Sequence, residues 1–134
     1  MLYYSIAHYY DRKGTRSNIK FNNIEHHIRA FLNIEEPDKE FIIISFVDAA
    51  RGNTYYEKVK KHMEDFCLQY LPKKNYHVEI EFNWGGTIAA LWYAYLYIKS
   101  QNVSDTAYMA HFEEDFHSLL FLEFRHKFRI IRIY

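Results

Sequence analysis

A chain of 134 residues, 49% hydrophobic and 25% charged, has the apolar content for one packed domain and is short for two. Its 17 basic and 17 acidic side chains cancel, which excludes a global field for nucleic acid or anionic membrane and leaves any binding to local groups. With 4 Gly and 2 Pro against 13 Tyr and 11 Phe, disorder and low complexity are excluded as well.

Leu2–Tyr10, rich in Tyr and Ile, reads as a buried first strand that stops at the polar turn Asp11-Arg12-Lys13-Gly14. From Ser17 the pattern changes: Ile24, Ile28, Phe31 and Leu32 recur at helical spacing until Glu35-Glu36-Pro37 ends the run, which predicts a first helix. Phe41–Val47, FIIISFV, is a continuous apolar run of strand length, as expected of a strand covered on both faces, and Asp48 and Arg51-Gly52-Asn53 follow it. Tyr55–Leu71 sets Val59, Met63, Phe66, Cys67 and Tyr70 on one helical face and Lys58, Lys61, Glu64 and Asp65 on the other, closing at Pro72.

His77–Phe82 alternates Val78, Ile80 and Phe82 with Glu79 and Glu81, the period of a strand exposed on one face and near an edge. After the turn Asn83-Trp84-Gly85-Gly86, Thr87–Lys99 is apolar almost all round, which predicts a buried helix whose small Ala residues approach the sheet closely. Asp105–Phe116, DTAYMAHFEEDF, is a short apolar strand that ends abruptly in three carboxylates, Glu113, Glu114 and Asp115. Ser118–Glu123 is again apolar. Arg125–Tyr134 partly alternates Arg125, Lys127, Arg129 and Arg132 with Phe128, Ile130 and Ile133, as an added helix or terminal strand with solvated Arg side chains would.

The opening segment lacks the basic start and long apolar run of a signal peptide, and no apolar run reaches the ~18 residues of a membrane span. Cys67 is the single cysteine, so a reducing, cytoplasmic setting without a disulfide framework is expected. His26-His27 has no partner one turn on, and neither HExxH nor paired CxxC occurs, which argues against structural zinc.

The alternation of four strands with three helices predicts an α/β fold: a three-layer α/β/α domain with a mainly parallel four-stranded sheet in the order 3-2-1-4. Residues 1–116 form its core and 117–134 a C-terminal extension of the same single domain. In such a sheet ligands sit beyond the carboxyl ends of the strands, near the switch in strand order. There the sequence places His8, Tyr9, Tyr10, Asp11 and Arg12 after the first strand and Asp48 after the second. Asn83, Gly85 and Gly86 follow the third strand, and the acidic triplet ends the fourth.

Each group has a role to offer a nucleoside diphosphate. A tyrosine stacks on a base and Asp48 accepts from base or ribose. Glycines at a helix start let backbone N–H groups approach a phosphate. Clustered carboxylates repel one another unless a cation sits among them, which points to Mn²⁺ or Mg²⁺ on oxygen ligands. Each also has a plainer reading: a tight turn, core packing by Tyr9 and Tyr10, a turn residue at Asp48, and an acidic helix cap.

FIIISFVD, the Gly-Gly turn opening GGTIAALWYAYLYIK, and AYMAHFEEDF together resemble the nucleotide-binding half of GT-A type glycosyltransferases, over roughly residues 1–116. The resemblance implies a Rossmann-like nucleotide-sugar-binding domain with a metal held by Glu113 and Asp115, the outer positions of an Asp-x-Asp-like motif. It further implies nucleotide contacts at Tyr10, Asp48, Gly86 and Glu114. The implied activity is transfer of a sugar from a UDP- or GDP-linked donor to an unidentified glycan, protein or small-molecule acceptor. The motif is Glu-Glu-Asp here, and Ala89-Ala90-Leu91 stands where many members carry Arg and Asn. The family's acceptor-binding half has no counterpart in these residues, so no catalytic base is named. A non-catalytic nucleotide-sugar-binding or partner-docking protein is the alternative, with a homodimer or partner chain covering the exposed apolar surface such a half would leave. An unrelated α/β interaction domain is the third reading.

Overall fold

β1 (Leu2–Tyr10) lies at the centre of a six-stranded sheet, flanked by β2 (Lys39–Val47) on one side and β4 (Tyr108–Glu113) on the other. The computed structural model describes residues 1–10, 21–82, 86–102, 107–113, 119–123 and 129–133. Strand order is β3-β2-β1-β4-β5-β6, with β3 (Tyr76–Phe82) at one edge and β5 (Leu119–Glu123) and β6 (Arg129–Ile133) completing the other side. β1 to β4 run parallel in the expected order 3-2-1-4, and β5 and β6 add on antiparallel. The C-terminal extension is therefore a pair of strands that carries the sheet beyond the four expected. Five-residue apolar runs such as LLFLE and RIIRI do not declare strand or helix by periodicity alone.

The helices divide between the two faces as the winding requires. Moving outward from β1 to β3, right-handed crossovers put α1 (Phe21–Leu32) and α2 (Thr54–Tyr70) on one face; reversing direction from β3 to β4 puts α3 (Gly86–Ser100) on the other. Ile24, Ile28 and Phe31 of α1 and Val59, Met63 and Cys67 of α2 pack on Tyr4, Ile6, Phe41, Ile43 and Val47. Ala90, Leu91, Ala94 and Ile98 of α3 pack on Tyr3, Ala7, Ile42, Ile44, Phe46 and Met109. Every residue from Phe41 to Val47 is buried, as a strand covered on both faces demands.

Local chemistry fixes the element ends. Asn53 caps α2, its side chain accepting from the Tyr55 N–H at 2.8 Å. Lys39 Nζ donates to the Phe31 and Ile34 carbonyls at 2.8 and 2.7 Å, fastening the open end of α1 to the start of β2. β3 is an edge strand as its alternation predicts, with Ile80 buried and Phe82 exposed. The expectation that α3 is buried all round is corrected: Ile88, Trp92 and Leu96 face outward, 70, 53 and 45% exposed. An all-apolar helix reports no preferred face, so its composition could not distinguish an inner layer from an outer one.

Candidate functional site

The parallel strands end along one rim of the sheet. β1 ends at Tyr10, whose register partner on β2 is Val47; Asp48 follows directly, and Val47 is in turn paired with Phe82, the last residue of β3. On the other flank β4 ends at Glu113, paired with Ala7. β1 therefore runs three residues past Glu113, about 10 Å at the rise of a parallel strand. Glu113 thus stands level with Ala7, short of the position that Tyr10 and Asp48 reach. Gly86 opens α3 four residues after β3 ends, so the first N–H groups of that helix, which have no intrahelical partner, belong to this same rim.

Asp48 is half-buried and its Oδ1 is sealed from solvent. Tyr9 is half-buried against the α3-side core. Glu114 and Asp115, and with them Asp11, Arg12, Asn83 and Gly85, lie outside the described residues. The backbone thus brings Tyr10, Asp48, Gly86 and Glu113 to one rim. Among the described residues, no three His, Cys, Asp or Glu side chains form a group suited to a metal ion.

His8 does not belong to the rim, contrary to its placement after the first strand. It lies within β1, 1% exposed, and shares a 2.9 Å hydrogen bond between its Nδ1 and the Oγ of its register partner Ser45. On the opposite face of the sheet His111 Nδ1 does the same with its partner Ser5, also at 2.9 Å. Burial favours the neutral imidazole, pushing His8 down to about 4 and His111 to about 3. His27, one of the histidine pair on α1, is buried too and shares a 2.8 Å hydrogen bond between its Nδ1 and the Tyr4 hydroxyl, while His26 faces solvent. These histidines are core groups bonded to hydroxyls, with no opening to a substrate.

Near the end of β3 the structure assembles a polar group the sequence reading passed over. Glu81 is held above the usual carboxylate range, first by burial and then by a hydrogen bond and charge repulsion from Glu79; Arg51, in the loop after β2, opposes the rise. Arg51 is itself raised by a hydrogen bond to Tyr56. Glu79 and Glu81 share a face of the strand by period alone, and that was the available signal. A cavity of about 320 Å³ lies at the opposite end of the sheet, lined by Leu32, Lys39, Tyr70, Leu71, Lys73 and Asn75 among others, away from every candidate residue.

Cysteine 67 is buried in the α2-side core and its thiol is pushed up to about 12, chiefly by that burial. It packs as an apolar group, as expected. Among the described residues no helix is long and apolar enough to cross a membrane. Compared with models of known protein families and with curated protein sequences, the chain matches none.

Proposed function

We propose that this domain binds a nucleotide-diphosphate sugar at the carboxyl-end rim of its parallel strands and acts as the donor-binding part of a GT-A type glycosyltransferase. The observation that carries the reading is the strand order: β4, which ends at the acidic segment, lies beside β1 at the point where the winding reverses. Tyr10 would stack on the base and Asp48 would accept from base or ribose. Gly86 at the start of α3 would bring backbone N–H groups to the diphosphate. Glu113 and Asp115, with Glu114 between them, would hold Mn²⁺ or Mg²⁺, whose chemistry is to neutralise charge on the departing diphosphate. In the transfer the acceptor hydroxyl forms a bond to the anomeric carbon and gives up its proton to water. The bond from that carbon to the diphosphate oxygen breaks, and the oxygen keeps the electron pair.

Calorimetric titration with UDP and with GDP, each with and without Mn²⁺, tests the reading beside an Asp115→Ala control. Metal-dependent binding lost in the variant is the expected result. Binding by the parent chain without turnover of a donor sugar would select the non-catalytic form of the reading. Absence of binding to either nucleotide, or affinity unchanged in Asp115→Ala, would overturn it.

A further inference from the structure

We infer that the outer edge of β3 pairs with β3 of a second copy of this chain, antiparallel across a two-fold axis at Val78. Among the described residues β3 ends the sheet, with β2 on one side and no strand on the other. The Phe41 N–H donates to the Asn75 carbonyl at 2.9 Å, which fixes the phase of the parallel ladder: His77, Glu79 and Glu81 turn their backbone groups towards β2. Tyr76, Val78 and Ile80 therefore turn theirs outward, and the Ile80 carbonyl accordingly accepts from the Tyr56 hydroxyl at 2.8 Å. A row of outward N–H and C=O groups is a template for another strand.

The backbone alone would accept any extended segment; the side chains select a second copy. Outward residues meet outward residues across a two-fold axis only where the axis passes through a residue, which leaves His77, Val78, Glu79 and Ile80 along the middle of the strand. An axis at Glu79 sets that carboxylate against itself, and one at Ile80 sets Glu79 against Glu81; both place like charges directly opposite. An axis at His77 sets the imidazole against itself and joins only Tyr76 with Val78. The axis at Val78 suits every position. Val78 opposes Val78 and exchanges both hydrogen bonds, Tyr76 opposes Ile80, and His77 opposes Glu79 on either side of the axis.

His77 and Glu79 fall at the closely spaced, non-hydrogen-bonded positions, with Cα atoms about 4.5 Å apart, where an imidazole N–H meets a carboxylate. The two faces of the strand match as well. His77 lies against Tyr97 of α3, ring centroids 3.7 Å apart, and keeps its polar pairs on that side. Tyr76, Val78 and Ile80 line the α2 side, the first two only partly buried within one copy, and the second strand covers them with apolar partners. The joined ladder carries about six backbone hydrogen bonds. Glu79 and Glu81 discourage other edge pairings by their charge, and in this register neither faces another acid.

Sedimentation equilibrium of the full chain across the micromolar range is the test, and the wild type should rise towards twice the chain mass. Val78→Pro removes the central donor, yet that N–H bonds nothing in β2, so the fold keeps its own ladder while the dissociation constant rises on the order of 30-fold. His77→Glu sets carboxylates opposite one another on both sides of the axis and should weaken the dimer on the order of 10-fold. Adding Glu79→Lys to that variant places unlike charges opposite again and should restore the dimer. Far-ultraviolet circular dichroism verifies folding of each, and amide hydrogen exchange at Val78 in the wild type should slow as concentration rises. A monomer at every concentration, the outcome if the edge serves a strand of a different protein, would overturn the inference. A dimer indifferent to Val78→Pro, a charge swap that fails to rescue, or Val78 exchange independent of concentration would do the same.

Discussion

Acidification should destabilise this core through two buried histidines. His8 and His111 are sealed in opposite faces of the sheet, and burial holds both well below the ordinary imidazole range, at about 4 and about 3. In the unfolded chain each returns to about 6.5. Between those values the unfolded state binds the extra proton, so stability is fully present above pH ~6.5 and is lost as pH falls towards the native values. At pH 5 an unfolded imidazole is almost fully protonated while the native one is not. Each histidine then removes about 2 kcal/mol relative to neutral pH, and the two together about 4 kcal/mol. That figure needs both native values to lie well below 5 and the unfolded ones near 6.5. Against a net stability of about 5–15 kcal/mol for a domain, it is a large fraction.

Urea unfolding followed by tryptophan fluorescence at pH 7, 6 and 5 measures the loss directly. His111→Asn keeps a hydrogen-bonding side chain opposite Ser5 but does not titrate. It should be less stable than the wild type at pH 7, yet lose about 2 kcal/mol less between pH 7 and pH 5. His8→Asn opposite Ser45 should behave alike, and the double variant should flatten the dependence further. Equal losses in the wild type and both variants would refute the reasoning, because the proton uptake would then belong to other groups.

Two further outcomes follow from the same core. Tyr4→Phe removes the hydroxyl bonded to His27 Nδ1 and leaves that buried nitrogen without its 2.8 Å contact, so stability should fall by about 1–3 kcal/mol in denaturant unfolding, with the ring stacks on Phe41 and Phe112 kept. Cys67, buried and with its thiol pushed up to about 12, should react with a disulfide reagent at pH 8 only as fast as the native state opens; rapid labelling of the folded chain would contradict its position in the core.

The parallel core was legible because its signals are long and of different period: FIIISFV over a covered strand, the Val59, Met63, Cys67 stripe of α2, and the two-residue alternation of β3. The order 3-2-1-4 followed from winding rules once four strands and three helices were counted. β5 was not legible, since a run of five residues carries too little period, and for β6 a terminal strand was one of two readings that the partial alternation left open. The exposure of Ile88, Trp92 and Leu96 was hidden because an apolar helix gives composition and no direction. The histidine bonds were hidden for another reason: Ser45 and His111 read as polar breaks in apolar runs until the strand opposite supplies the partner. Of the candidate site, Tyr10, Asp48, Gly86 and Glu113 could be assigned to strand and helix ends, and the register then showed how far apart along the rim those ends lie.

Those buried pairs also bear on the site, through register. His8 and Ser45 are directly opposite across β1 and β2, and Ser5 and His111 are directly opposite across β1 and β4. A slip of β2 by one residue would turn its whole apolar set over to the wrong face. A slip by two would keep the faces but set His8 against Ile43 or Val47, leaving an imidazole buried without its hydroxyl. The same holds for His111 against β1. Burial of apolar surface alone does not discriminate the two-residue slips in an apolar run as uniform as FIIISFV; the polar pairs do. The register they hold sets Tyr10 beside Val47, Asp48 one residue beyond, and Glu113 beside Ala7. The register that places Tyr10, Asp48 and Glu113 relative to one another is thus supported by histidines that lie within the sheet, away from its rim.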